Sequence, residues 1–99
     1  MLHILWEYRV GEDKRSEFER HYNGNGTWAA LFRRDAGYRG TTLLRDPEDG
    51  GHYLTIDVWD DAASFHRFQQ DFAAEYAALD RQKEALTESE RHQGTFESL

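Results

Sequence analysis

The chain has 99 residues, 14% of them aromatic, and carries 19 acidic side chains against 12 Lys and Arg, for a net charge of −7. An aromatic share this high separates it from disordered acidic chains, which lack the means to bury surface. The acidic balance argues against nucleic acid and anionic membranes as partners, and the lack of cysteine excludes disulfides and thiolate metal sites.

The length fits one domain over residues 1–99, near the size at which a partner subunit helps to bury enough surface. The segment MLHILWEYRV has neither a basic leader nor a long apolar run, so it does not read as a signal peptide. No stretch approaches the ~20 apolar residues of a membrane span. The expectation is a cytoplasmic protein.

Residues 1–10 predict a strand, with Leu2, Ile4, Trp6, Tyr8 and Val10 on one face and His3, Leu5, Glu7 and Arg9 on the other. Gly11 ends it. A helix follows from Glu12, with Phe18 and Tyr22 four residues apart and His21 beside them. The run Asn23-Gly24-Asn25-Gly26 interrupts that helix, and Thr27 is placed to cap a second piece carrying Trp28, Leu31 and Phe32. After Gly37 comes a second strand, residues 38–46, and the turn DPEDGG joins it to a third, residues 52–59, as a hairpin. Asp60 or Asp61 caps a long helix whose inner stripe is Phe65, Phe68, Phe72, Tyr76 and Leu79. Thr87 and Glu90 have capping-box spacing for a short last helix, and residues 95–99 make a last strand.

The order strand, helix, strand, strand, helix, strand, with right-handed crossovers, gives an α+β ferredoxin-like sandwich: an antiparallel sheet with both helices on one face. The other face should then be polar in a monomer. It is mixed instead: Leu5 stands among Glu7 and Arg9, and Asp57 and Trp59 are assigned to the same side. A homodimer packed through that face explains the mixture, with Leu5, Glu7, Asp57 and Trp59 at the interface.

The segments WEYRV, GYRGTTLLRD and YLTIDVW, the last followed by an Asp-capped, Phe-rich helix, resemble the antibiotic biosynthesis monooxygenase family. The resemblance runs from about Leu2 to Phe96. It implies the dimeric α/β-barrel form of the ferredoxin-like fold, with a pocket between sheet and helices. That pocket would be built from Trp6, Tyr8, His21, Tyr22, Trp28 and Phe32, with Phe65 and His66 contributed by the long helix. The family includes cofactor-free oxygenases of aromatic polyketides and haem-degrading proteins. The haem-degrading branch carries an asparagine on its first strand where Tyr8 stands here, which disfavours haem. The expected cofactor is therefore none.

Cofactor-free oxygenation needs a substrate that can itself give electrons to oxygen. The protein supplies a dry pocket, orientation and a base or hydrogen-bond donor. Tyr8 and His21 are the candidate catalytic groups on this reading. Packing alone is the competing explanation for both. Glu7 and Asp57 could approach across neighbouring strands as a carboxylate dyad, or pair with Arg9, Arg39 or Arg45. His3, His52 and His92 show no metal-ligand spacing, and there is no Gly-x-Ser-x-Gly nucleophile, P-loop or RNA-binding signature. Two functions are thus open: an oxygenase of a small aromatic or enolisable metabolite, or a non-catalytic dimeric module that binds a small molecule or serves a structural role.

Overall fold

A computed structural model describes residues 1–99. Strand β1 (Leu2–Arg9) leads through one 3-10 turn to α1 (Arg15–Tyr22) and α2 (Thr27–Phe32). Strands β2 (Tyr38–Asp46) and β3 (Asp49–Trp59) form the hairpin, and α3 (Ala62–Asp71), α4 (Ala73–Lys83) and β4 (Ser89–Glu97) complete the chain. The sheet order is β2-β3-β1-β4, with every neighbouring pair antiparallel. This is the ferredoxin-like arrangement. No helix is long and apolar enough to cross a membrane.

Alternation sets the helix-facing side of the sheet. Leu2, Ile4 and Tyr8 of β1 are buried, and their partners in register are Trp59, Asp57 and Tyr53 of β3. Phe18 and Tyr22 of α1 stack on one another at 4.2 Å and cover Tyr8. Trp28, Ala29, Leu31 and Phe32 bury the second helical piece against the same layer. Gly26, not Thr27, holds the cap position of α2, and Thr27 turns its hydroxyl to His21.

Trp59 is fully buried, with its ring within 5.7 Å of those of Phe32, Tyr38, Phe65 and Phe68. It therefore faces the helices, and its expected place at a dimer interface is corrected. Asp57, two residues earlier, shares that face by the same alternation and is corrected with it. Glu7 lies on the opposite face beside His52, so the proposed Glu7–Asp57 dyad does not exist. The cause of the error is physical. Alternation says which residues share a side but not which side is inside, and here both sets contain bulky apolar residues.

Two further expectations change. The long helix divides at Phe72, whose φ of −121° and ψ of 27° end α3 and begin α4. The short helix expected after Thr87 is absent: one 3-10 turn at Glu84–Leu86 is followed directly by β4. The free edge of β1 accounts for this, because its backbone donors and acceptors need a strand beside them. Pairing with β4 satisfies them, and the Glu88 N–H donates to the Arg9 carbonyl at 2.7 Å.

Asp61 caps α3 by accepting the Ser64 N–H at 2.8 Å. Just before β2, buried Asp35 accepts the Gly37 N–H at 2.8 Å and two bonds from Arg67 at 2.7 and 3.0 Å. That guanidinium holds the Asp35 carboxyl below its ordinary range and ties the end of α2 to the middle of α3.

Candidate active site

A cleft opens on the helix side of the sheet. Trp6 and Tyr8 enter it from β1, Tyr22 from α1, Trp28 and Phe32 from α2, Thr41 from β2 and Thr55 with Asp57 from β3. Tyr76 and Asp80 of α4 and Glu90 of β4 complete its wall. The enclosed part holds about 50 Å³, and the void counted out to the open mouth is about 470 Å³. The enclosed space is too small for a multi-ring ligand, and Tyr76, 38% exposed, is the most open of the aromatic walls.

The residues reach the cleft for local reasons. The Asn-Gly interruption turns the chain after Tyr22, so Trp28 and Phe32 return over the sheet and Trp28 meets Tyr76 at 5.1 Å. The pairing of β1 with β4 skips one residue beside Leu5 and Trp6, and this bulge sets Glu90 opposite Tyr8 and His92 opposite Trp6. Trp6 and His92 then pack ring against ring at 5.3 Å.

Asp57 is the ionisable group on the cleft floor. Its carboxylate accepts one hydrogen bond, from the Thr41 hydroxyl at 2.6 Å, and Thr41 is bonded in turn to the Tyr38 hydroxyl at 2.6 Å. Burial pushes the Asp57 carboxyl up to about 6, against the smaller opposing effect of Thr41. Burial likewise drives the Tyr8 phenol far above its ordinary range, so it stays a neutral O–H donor. Tyr22 and Tyr76 are each pushed up to about 12, again chiefly by burial. The cleft wall thus contains both a base poised near neutrality and a protonated phenol. They stand on neighbouring strands but at different register positions, Asp57 opposite Ile4 and Tyr8 opposite Tyr53.

Five of the residues read from the sequence as pocket-forming come together here: Trp6, Tyr8, Tyr22, Trp28 and Phe32. Three do not. His21 shares a hydrogen bond with Thr27 at 2.6 Å through Nδ1, and Lys83 lies 3.3 Å from Nε2. An ammonium can only donate, so Nε2 accepts and the proton sits on Nδ1. Burial and then Lys83 lower the pKa of this ring. It is neutral, fully engaged and outside the cleft, so it is withdrawn as a catalytic candidate. Phe65 packs on Trp59 instead, and His66 is exposed. Thr41, Thr55, Asp57, Tyr76, Asp80 and Glu90 are the lining groups that sequence reasoning left out of the site. The signal that could have found Asp57 was its shared parity with Tyr53 and Trp59, two large rings suited to the core side. No three His, Asp or Glu side chains gather into a metal-binding group.

The antibiotic biosynthesis monooxygenase family model matches residues 1–78. The chain belongs to that family. Among solved structures, it is similar to SnoaB, a cofactor-independent oxygenase from Streptomyces nogalater, at 27% identity and a TM-score of 0.66 over 99% of this chain and 92% of that one. A Bordetella bronchiseptica protein proposed to be an antibiotic biosynthesis monooxygenase matches at 17% identity and a TM-score of 0.77, covering 99% and 96% of the two chains. PA3566 from Pseudomonas aeruginosa matches at 22% identity and a TM-score of 0.69, covering 99% and 93%. At these lower identities the likeness concerns the fold alone. No curated protein matches the chain.

Proposed function

We propose that this protein is a cofactor-independent monooxygenase of a small aromatic or enolisable metabolite, bound in the cleft between sheet and helices, and that it works as a homodimer. The observation that carries the reading is Asp57, a carboxyl raised to about 6 on the floor of an aromatic cleft, with the Tyr8 hydroxyl on the adjacent strand. Family membership and the 27% identity to a cofactor-independent oxygenase support the reaction type.

In the proposed reaction, Asp57 removes a proton from an activated C–H or O–H of the substrate, and Tyr8 donates a hydrogen bond to the oxyanion that forms. The electron-rich carbon then reduces dioxygen, a C–O bond forms, and the proton held by Asp57 returns to the terminal oxygen to give a hydroperoxide. Loss of water leaves a carbonyl. For a methylene substrate the sum is CH2 plus O2 giving C=O plus H2O, with all four electrons coming from the substrate. The aromatic wall contributes by holding the ring and excluding bulk water.

Oxygen uptake with anthrone and hydroquinone substrates tests this reading. The expected result is turnover above autoxidation, falling about 100-fold or more in Asp57→Asn, the range for loss of a general base. Uptake no faster than autoxidation, or an Asp57→Asn variant at the wild-type rate, would sink the proposal. Melting curves of the variant separate loss of chemistry from loss of fold.

A further inference from the structure

The cleft contains three carboxylates, Asp57, Asp80 and Glu90, and no Lys, Arg or His among its lining residues. Asp80 and Glu90 make no salt bridge at the mouth. Lys83 is turned to His21, and Arg91 is bound to Glu7 at 3.1 Å on the other face of the sheet. Glu90 is exposed over much of its surface but partly buried, and its carboxyl is raised first by that burial and then by nearby Asp80. Beside them stand the Trp28 and Tyr76 rings, 5.1 Å apart, whose faces carry negative charge density. Trp28 is nine-tenths buried in the cleft wall, and its indole N–H, though close to the Tyr22 hydroxyl, makes no hydrogen bond of good geometry. A buried donor without a well-placed acceptor is costly, and an acceptor atom on a ligand would satisfy it.

Such a site repels a second negative charge. A substrate that enters as an anion, or becomes one at Asp57, finds no protein cation to offset it. The geometry points to a ligand that brings its own positive charge: an aromatic phenol or enol bearing a protonated amine, its ammonium at Asp80 and Glu90, its ring on the Trp28–Tyr76 wall and its hydroxyl toward Asp57. This inference rests on the oxygenase reading for the role of the hydroxyl, but the charge selectivity stands on the mouth alone. Aromatic faces and carboxylates favour the same kind of ligand, since both attract a desolvated ammonium.

Three ligands with one ring and different tails test it: tyramine, 4-ethylphenol and 3-(4-hydroxyphenyl)propanoate. Their binding is followed by quenching of tryptophan fluorescence and by calorimetry, without oxygen turnover. Tyramine should bind about tenfold more tightly than 4-ethylphenol at low salt, with the carboxylate weakest and the spread narrowing at high salt. In Asp80→Asn/Glu90→Gln the ratio of tyramine to 4-ethylphenol should fall to near one. Both side chains are exposed, so the melting temperature of that variant should stay close to wild type. The inference is overturned if tyramine shows no saturable binding, binds no better than 4-ethylphenol, or keeps its advantage in the double variant. The two readings fail separately. Charge selectivity without oxygen uptake removes only the oxygenase, whereas turnover without charge selectivity removes only the cationic ligand.

Discussion

At the scale of the residue, Asp57 sets function against stability. Its carboxyl ionises at an ordinary 3.8 when unfolded and at about 6 when folded. Below 3.8 both states hold the proton and nothing is lost. Between the two values the folded state holds it more tightly, and above 6 the full cost of a charged group in the cleft is present. At ~1.4 kcal/mol per pH unit, and discounting for its partial exposure, that cost is on the order of 2 kcal/mol. Asp57→Asn should therefore raise the melting temperature at pH 8 and leave it nearly unchanged at pH 4, while oxygen uptake falls. Thermal melts at the two pH values check the prediction, and equal effects at both would refute the proposed ionisation. Tyr8 was legible from the sequence because it falls among the alternating Leu2, Ile4, Trp6 and Tyr8 of β1. Asp57 was not, because both faces of β3 carry bulky apolar side chains and only tertiary packing chooses between them. His21 misled for a related reason. Its position on the helix was sound, but Lys83, which engages it, lies far along the chain.

At the scale of the element, the corner between α2 and β2 fixes how α3 leaves β3. Gly37 sits where a Cβ would come within 2.3 Å of the Ser64 Cβ, in the first turn of α3, and its carbonyl accepts the Asp60 N–H at 2.8 Å. Ser64 is buried and bonded to Asp61, so it has no free direction in which to retreat. Gly37→Ala should destabilise the fold by about 1–3 kcal/mol through overpacking. Urea unfolding should show a lower midpoint at an unchanged slope. A midpoint equal to that of the wild type would show that α3 can shift without cost. Most elements could be read ahead of the structure because each rests on a local signal: alternation in β1, the Asn-Gly break before α2, the DPEDGG turn and the cap at Asp61. Strand β4 could not, because Thr87 and Glu90 imitate a helix start. What makes residues 89–97 a strand is the unpaired edge of β1, a demand that arises some eighty residues away in the chain. The break at Phe72 is equally non-local, since the aromatic stripe continues through it.

At the scale of the whole molecule, the outer face of the sheet is the surface still to be explained. Leu5, Leu54, Ile56 and Val58 lie on it, and Leu44 and Phe96 are 46% and 56% exposed there. Leu5, Leu44, Leu54 and Phe96 line a shallow hollow of about 460 Å³ that also contains Glu7 and His52. The charged groups on this face are already paired within the chain: Glu7 bonds His52 at 2.7 Å and Arg91 at 3.1 Å, and His52 reaches Asp46 at 3.2 Å. A partner sheet could thus cover the face without stranding a lone charge, the condition that makes most burial of ions prohibitive. A second copy of the chain suits it, since a twofold contact would set each apolar centre on its equivalent. Light scattering at micromolar concentration should give twice the chain mass. Leu44→Lys places an ammonium in the apolar part of the face while leaving the helix-side core untouched, so it should shift that mass toward the monomer with its circular dichroism retained. A wild-type chain that scatters as a monomer would overturn the dimer. A Leu44→Lys variant that stays dimeric would move the contact to a different part of the surface.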